Sequence, residues 1–260
     1  MEIKLDGRAA VITGASKGLG LAMATRFSAS GADVAMLARR ADVLEEAHQA
    51  VAATARGRVV GVACDVSRAE DITRGFDDVM NAFGRVDILV NNAGTSRAAA
   101  FETITDEVWQ QDLDLKLFAA IRWSRLVWPQ MTQNRWGRII NVLNIGAKAP
   151  RAGGAPTVVS RAAGMALTKV LAAEGAPHNV LVNALLVGQI VSDQWVRRHA
   201  AQAAATSFED YAARLGEKIP LGRLGTAEEF ANLACFLASD AAGYVTGTAI
   251  NVDGGASPVV

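Results

Sequence analysis

The chain has few cysteines, and this scarcity excludes a disulfide framework. Its 260 residues include only Cys64 and Cys235, which lie in separate apolar segments without metal-ligand spacing. We therefore expect two reduced thiols packed as small hydrophobic groups, and no metal site. Residues 1–7 are too short and too polar for a signal peptide, which favours a cytoplasmic protein.

An excess of one charge and long apolar runs are also lacking. The 26 basic and 26 acidic side chains balance, whereas binding to nucleic acid phosphates needs a basic excess or patch. The apolar stretch at residues 180–188 is interrupted by Asn183 and is too short to span a membrane. We therefore expect neither nucleic acid nor a membrane as a partner.

Short β-branched runs alternate with Ala-rich segments of helical spacing. Seven runs are predicted as strands, at residues 9–13, 33–37, 59–63, 86–91, 138–143, 181–186 and 249–252. Continuous apolar runs suit strands buried on both faces of a sheet. Right-handed crossovers then give a doubly wound parallel seven-stranded sheet with helices on both faces, the Rossmann fold. No linker or repeat divides the sequence, so residues 1–260 are predicted as a single dinucleotide-binding domain.

The least regular region is residues 189–220. Segments 193–199 and 207–215 have the pattern of two amphipathic helices, with no strand between them. In an open α/β sheet, extra helices beyond the carboxyl end of a strand cover the ligand crevice. We predict a helical substrate lid over residues 189–220, and a solvated connecting segment is the alternative.

A glycine-rich loop, Thr13-Gly-Ala-Ser-Lys-Gly-Leu-Gly20, follows the first predicted strand and precedes a helical segment. Glycines at 14, 18 and 20 permit a tight turn, let the backbone approach a pyrophosphate, and allow close packing of helix on strand. Amides at the helix N-terminus then face the anion. The loop therefore predicts dinucleotide binding.

The end of the second strand distinguishes the two nicotinamide dinucleotides, because it lies beside the adenosine ribose. An acidic residue there would bond the 2′-hydroxyl, but the sequence reads Ala38-Arg39-Arg40. Arg39 can offer a charge-assisted fork to a 2′-phosphate, and Lys17 adds a second positive charge. We therefore predict NADP(H), with Arg40 as a solvated residue at the start of a helix.

Further motifs are spread along the chain. They are Cys64-Asp65-Val66, Asn91-Asn-Ala-Gly94, Gly137-Arg-Ile-Ile-Asn141, and segments 219–225, 236–240, 245–247 and 252–255. With the glycine-rich loop, they resemble the short-chain dehydrogenase/reductase family over essentially the whole chain. The resemblance implies that Asp65 bonds the adenine amino group and that the turn at residues 188–190 meets the nicotinamide carboxamide. The cofactor-binding residues implied are Gly14, Ser16, Lys17, Gly18, Leu19, Gly20, Arg39, Asp65, Val66, Asn91, Ala93, Gly94, Arg161, Gly188 and Ile190.

The family's chemistry depends on an Asn, a Ser and a Tyr-x-x-x-Lys pair, and this chain differs at all four positions. Flanking motifs locate them at Lys116, Asn144, Thr157 and Arg161. Protonation of a carbonyl needs a donor whose pKa approaches the working pH, and an aliphatic hydroxyl is far too weak. The chain has only two tyrosines. Tyr244 belongs to a structural stretch, whereas Tyr211 lies in the predicted lid and reaches the site only if the lid closes.

We expect the substituted positions to act together. The hypothesis is that Lys116 acts as general acid/base, Asn144 bonds the substrate oxygen, and Arg161 orients the nicotinamide ribose. The Arg161 charge would lower the pKa of Lys116. The alternative is a Lys116 that points to solvent or pairs with Asp112 one helical turn earlier.

The sequence therefore predicts an NADP(H)-dependent oxidoreductase with an atypical centre, acting on a small carbonyl or alcohol. An acidic group on the substrate would match four cations predicted near the mouth: Lys148, Arg151, Arg197 and Arg198. The main alternative is a non-catalytic NADP(H)-binding sensor or scaffold. Elimination or dehalogenation is disfavoured, because it leaves the glycine-rich loop without a purpose.

Two predicted helices, at residues 107–131 and 157–174, carry more apolar surface than one sheet face should bury. The first presents Leu113, Leu117, Ala120 and Ser124 at helical spacing, and Trp123 and Trp128 are expected elsewhere on its surface. The resembled family pairs these helices, so we predict a homodimer or homotetramer. An intramolecular core is the alternative.

Overall fold

Seven parallel strands form one sheet in the computed structural model of the chain, which describes residues 3–191, 199 and 207–260. The sheet order is β3-β2-β1-β4-β5-β6-β7. The strands are β1 (Ala9–Thr13), β2 (Asp33–Ala38), β3 (Val59–Ala63), β4 (Ile88–Asn91), β5 (Gly137–Asn144), β6 (Val180–Val187) and β7 (Ala249–Val252).

Helices cover both faces of this sheet. Within the described residues they are α1 (Gly18–Ala29), α2 (Ala41–Ala52), α3 (Ala69–Phe83), α4 (Asp106–Leu113), α5 (Ala119–Gln133), α6 (Thr157–Gly175), α7 (Phe208–Gly216) and α8 (Ala227–Ala238). On one face Phe27 and Phe230 pack against the sheet, and on the other Ile72 and Trp123 do so. The predicted doubly wound parallel fold is confirmed.

The central strands are apolar because both of their faces are covered. All five residues of β1 are buried, and in β6 seven of eight positions are buried. Every predicted strand is present with small differences at its ends. The fourth begins at Ile88 rather than at residue 86, and just before it the carboxylate of Asp87 accepts a hydrogen bond from the Ala9 amide at 2.9 Å.

The predicted helix at residues 107–131 is interrupted rather than continuous. A π-helical turn, Asp114–Phe118, joins α4 to α5. π-helical turns are rare and are frequently found at functional sites, because they change the direction in which side chains leave the helix. Lys116 lies within this turn.

Trp123, expected elsewhere on the surface of this helix, faces the interior of the protein. Its side chain is fully buried and its ring meets the edge of Phe76 at a centroid distance of 6.3 Å. Trp128 is partly buried. Much of the apolar surface that suggested a partner therefore packs within the chain, while Phe118, Val159 and Val170 are exposed.

Both cysteines are buried and unbonded to each other, as expected from their apolar surroundings. Burial raises the pKa of the Cys64 thiol to about 12, and burial also raises the pKa of Cys235. Both are protonated thiols at neutral pH. Across the described part of the chain, no helix combines the length and apolar character needed to cross a bilayer.

Candidate active site

The residues predicted from the cofactor motifs gather along one edge of the sheet, because parallel strands end there together. Between β1 and the first turn of α1 lie Gly14, Ser16, Lys17, Gly18, Leu19 and Gly20. Arg39 follows β2, and Asp65 and Val66 follow β3. Asn91 ends β4 and is followed by Ala93 and Gly94, and β6 is followed by Gly188 and Ile190. In open α/β folds, ligands bind in the crevice outside this edge.

Close packing fixes the glycine-rich loop. Gly14 has φ +68°, and a Cβ at Gly20 would lie 2.2 Å from the Gly14 carbonyl oxygen. Only glycine fits at position 20 without displacing the backbone. The first turn of α1 contains no acidic residue, which leaves the positive end of the helix dipole uncompensated by a nearby carboxylate.

The ends of β1 and β4 are tied together beneath this loop. The Thr13 hydroxyl accepts hydrogen bonds from the amides of Asn92 and Ala93, at 2.9 and 3.0 Å. The side-chain amide of Asn92 donates to the carbonyl oxygens of Thr13 and Gly14. These bonds hold the loop and the strand end as one rigid wall of the crevice.

The positions predicted to contact adenosine have different surroundings. Ala38 is buried at the end of β2, whereas Arg39 is exposed. Asp65 accepts hydrogen bonds from the Ser67 amide and hydroxyl through Oδ1, at 3.0 and 2.7 Å. The Asp65 carboxylate is thus held by its own loop, whereas Arg39 is exposed at the strand end.

Lys116 is buried, contrary to the reading that makes it a solvated helix residue. Its side chain is 2% exposed, and its ammonium donates hydrogen bonds to Asp112 Oδ1 and, at 3.1 Å, to Thr157 Oγ1. Thr157 Oγ1 also accepts from the Arg97 amide at 2.9 Å. The pairing with Asp112 that was the alternative interpretation is therefore present, and it occurs inside the protein.

Besides Lys116, the Asp112 carboxylate has a second hydrogen-bond partner, which lies on α6. The Ser160 hydroxyl lies 2.7 Å from Asp112 Oδ2, and the Asp112 side chain is fully buried. One hydrogen-bonded cluster thus links the π-helical turn to the first turn of α6, and it consists of Lys116, Asp112, Thr157 and Ser160. We refer to these four residues as the Lys116 cluster.

Arg161 approaches the same place from α6. A Cβ at Gly94 would lie 2.6 Å from Arg161 Nη2 and 3.7 Å from Lys116 Cγ. Arg161 Nη1 donates to the Val142 carbonyl oxygen. Lys116 and Arg161 therefore both lie against Gly94, at the carboxyl edge of the central strands.

A small cavity separates these cations from two asparagines. It has a volume of about 20 Å³ and is lined by Lys116, Arg161, Asn91 and Asn141, among others. Asn91 Nδ2 donates to Asn141 Oδ1 at 2.9 Å. A cavity of this size has room for about one water molecule.

Burial and neighbouring charges change the acidity of both cations. Burial lowers the pKa of Lys116 to about 8, the hydrogen bond to Asp112 opposes this, and the charges of Arg161 and Arg97 lower it further. Burial also lowers the pKa of Arg161 to about 10, although the Asp112 charge acts in the opposite direction. At neutral pH both remain protonated, but the pKa of Lys116 is close enough to neutral pH for this group to give up a proton readily.

The other residues predicted near the mouth of the crevice differ in their surroundings. Asn144 ends β5, and its buried Oδ1 has no hydrogen-bond partner within the described residues. Lys148 donates to the Ala249 carbonyl oxygen at 2.5 Å, so its ammonium is already engaged. Arg151 is exposed. Arg197 and Arg198 lie outside the described residues.

The predicted lid is described only in part. Its second predicted helix is α7, Phe208–Gly216, with Ser207 as N-cap, and Tyr211 lies in it. Most of the first predicted helix, at residues 193–199, lies outside the described residues. His199 is described, and its ring is 5.2 Å from that of Tyr211.

Known proteins of similar sequence and structure show which family has this fold and crevice. A family model described as "Enoyl-(Acyl carrier protein) reductase" matches residues 14–257. The chain belongs to the short-chain dehydrogenase/reductase family. The 3-oxoacyl-(acyl-carrier-protein) reductase of Aquifex aeolicus is 32% identical, over 98% of this chain and 99% of the relative. That of Escherichia coli K12 is 33% identical, over 97% and 98%.

A solved structure of another short-chain dehydrogenase/reductase superimposes closely on the chain. The L-sorbose reductase of Gluconobacter frateurii, solved with NADPH and L-sorbose, has a TM-score of 0.95 and 35% identity, with 100% of each chain covered. The relatives are oxidoreductases, and the likeness extends through both the glycine-rich loop and the segments that carry the Lys116 cluster.

Sequence reasoning located Lys116 but missed the hydrogen-bond network around it. Asp112 was noted only as a residue that would remove Lys116 from the site, and Ser160 and Arg97 were not singled out. An acidic residue four positions before a lysine on one helix was the available signal. Nothing in the sequence showed that the pair faces the protein interior.

Proposed function

We propose that the protein is an NADP(H)-dependent reductase of small carbonyl compounds, in which Lys116, Asn144, Thr157 and Arg161 occupy the four catalytic positions of the family. The observation that carries this proposal is that Lys116 and Arg161 both lie against Gly94, next to the glycine-rich loop. A buried lysine and a partly buried arginine at the ligand edge are costly unless they serve binding or chemistry.

The residues around the crevice fit a dinucleotide phosphate. The tight packing of Gly20 against Gly14 leaves backbone amides at the start of α1 to face a pyrophosphate. Arg39 is exposed where a 2′-phosphate would lie, and no carboxylate follows Ala38 to repel it. The L-sorbose reductase solved with NADPH supports the same choice of cofactor. When bound, a reduced nicotinamide supplies hydride to a carbonyl carbon.

Lys116 is proposed to supply the proton. Its ammonium is protonated at neutral pH, and its pKa of about 8 makes it a far better acid there than a hydroxyl. Its proton passes to the carbonyl oxygen and leaves a neutral amine, which is stabilised by the same burial that lowers the pKa. Asn144 is proposed to bond the substrate oxygen, and Arg161 to orient the ribose hydroxyls.

The relatives suggest which carbonyl compounds to examine. Two are reductases of 3-oxoacyl groups and one reduces the ketose L-sorbose. An acidic group on the substrate has less support than the sequence suggested, because Lys148 is bonded to a backbone carbonyl and only Arg151 remains exposed among the described candidates.

The test is NADPH oxidation by the purified protein with 3-oxoacyl thioesters, ketoses and simple ketones. We expect turnover that Lys116→Met lowers by about 10²- to 10⁴-fold, the usual contribution of a general acid. Lys169→Met, which alters an exposed lysine of α6, is the matched control. NADPH binding, followed by fluorescence, should survive both substitutions.

The comparisons give no support to a non-catalytic sensor or scaffold. NADPH binding without oxidation of any compound in the panel would favour that alternative and contradict the proposal. Unchanged turnover in Lys116→Met would instead leave a reductase whose acid is another group.

Four further expectations belong to this proposal. Residues 1–260 act as one domain, and residues 189–220 serve as a helical lid, a role for which α7 provides a suitable element. The chain forms a homodimer or homotetramer, which sedimentation would test and a monomer would contradict. The cytoplasmic location stays a prediction from the sequence.

A further inference from the structure

A fully buried carboxylate lies next to the proposed acid. Asp112, near the end of α4, has no exposed side-chain area, and both of its oxygens are engaged. Oδ1 accepts from the Lys116 ammonium, and Oδ2 lies 2.7 Å from the Ser160 hydroxyl. Burial of a charge is expensive unless a partner and hydrogen bonds compensate it, and this arrangement provides both.

The contacts of Asp112 define where the ammonium can sit. Lys116 follows one turn later on the same helical segment, while Ser160 projects from α6. Because Ser160 holds the carboxylate from the second helix, the ammonium is directed to Thr157 Oγ1, at 3.1 Å. A lysine side chain has four rotatable bonds, so such a clamp removes most of its freedom.

The negative charge of Asp112 also offsets the positive charges that destabilise the Lys116 ammonium. Burial disfavours a positive charge at Lys116, and Arg161 from α6 and Arg97 from the loop after β4 repel it. Asp112 is the carboxylate that faces the ammonium. Asp114, two residues later, is directed elsewhere, with Oδ2 3.0 Å from Gln110 Nε2 and Oδ1 3.4 Å from Arg122 Nη2.

We propose that Asp112 is a positioning residue of this site, which holds the Lys116 ammonium against the Thr157 hydroxyl and stabilises its positive charge. Asp112 makes no contact with substrate and acts through Lys116, with Ser160 as the support that fixes its carboxylate. The catalytic consequence rests on the function proposed above. The effect on Lys116 itself does not.

The direct test measures the titration of Lys116 by NMR in protein labelled at lysine Cε. The chain has six lysines, so Lys116→Met assigns the signal. We expect Asp112→Asn to lower the midpoint of the Lys116 titration by about one to three pH units, the usual effect of removing an opposite charge at this distance. Asp114→Asn is the matched control, since it removes the same charge two residues away and should leave the midpoint unchanged.

Kinetics then separate positioning from a merely structural role. With a reducible ketone, Asp112→Asn should shift the pH dependence of kcat downward by the same amount, while the KM for the ketone and the affinity for NADPH change little. Ser160→Ala keeps the charge but frees the carboxylate, so it should lower kcat with a smaller shift of the pH profile.

The outcomes distinguish the two proposals. An unchanged Lys116 midpoint in folded Asp112→Asn overturns the role of Asp112. A shifted midpoint in a protein that never oxidises NADPH supports that role and overturns the proposed function. If Asp112→Asn does not fold, coupling across the hydrogen bond between Lys116 Nζ and Asp112 Cγ is measured in the wild-type protein, and its absence also overturns the proposal.

Discussion

Lys116 Nζ and Thr157 Oγ1 lie 3.1 Å apart, although they belong to different helical segments. The same hydroxyl oxygen accepts a hydrogen bond from the Arg97 amide at 2.9 Å. Thr157 therefore receives two donors and acts as a fixed acceptor at the start of α6. If this site supplies a proton as proposed, the donor is therefore the Lys116 ammonium, and the surrounding charges tune it.

The first prediction concerns the direction of the pH dependence. Lys116 donates a proton only when it is protonated, and its pKa is about 8. For carbonyl reduction, kcat should be constant below that pH and fall about tenfold for each unit above it. Alcohol oxidation needs the neutral amine, so its kcat should rise through the same range. Initial rates between pH 6 and 10 measure both limbs.

A control is needed because alkaline pH also affects stability. Circular dichroism over the same pH range should show an unchanged fold. A reduction rate that does not change between pH 7 and 10 would be incompatible with Lys116 as the acid.

The second prediction concerns selection of the cofactor. Arg39→Ala should weaken NADPH binding by about 10- to 100-fold, since a hydrogen bond to a charged group contributes about 1.5–3 kcal/mol. NADH binding should change little, because NADH has no 2′-phosphate. Fluorescence titration with both nucleotides measures the ratio.

Arg40→Ala is the matched control for this substitution. Arg40 is also exposed, but it is the N-cap residue of α2 and is expected to face solvent. Equal losses in the two variants would indicate general electrostatic attraction rather than a specific site for the phosphate.

The third prediction uses the tightest contact in the glycine-rich loop. Gly20→Ala places a Cβ 2.2 Å from the Gly14 carbonyl oxygen, so the loop must shift. We expect loss of NADPH binding in a protein that keeps its secondary structure. Gly61→Ala in β3 is the comparison, because its Cβ would meet only side chains at 3.5 Å or more. Retained NADPH affinity in Gly20→Ala would contradict the assignment of this loop.

The sheet was predictable because its signals are local. Continuous apolar runs identify buried strands, and glycine-rich or polar residues at their ends identify the turns. The crevice follows from the same information, since parallel strands end at one edge. The seven strands of the parallel sheet therefore agree with expectation, and the residues predicted from the cofactor motifs lie at or beyond its carboxyl edge.

The Lys116 cluster was less predictable because it depends on tertiary packing. The sequence places Asp112 and Lys116 one turn apart, but whether that face meets solvent or α6 depends on how the π-helical turn directs it. Ser160 and Arg97 join the cluster only because α6 and the loop after β4 pass beside it.

The final prediction tests the buried position of Trp123. Its fully buried side chain fills the layer between α5 and α3, so Trp123→Ala should lower the free energy of unfolding by about 3–5 kcal/mol. Its Nε1 has no hydrogen-bond partner within the described residues. Trp123→Phe should therefore cost much less, because it keeps most of the volume and removes a buried donor. Urea unfolding measures both. If the residue instead lay at a subunit interface, Trp123→Ala would change the sedimentation coefficient, whereas a core position predicts loss of stability with the assembly unchanged.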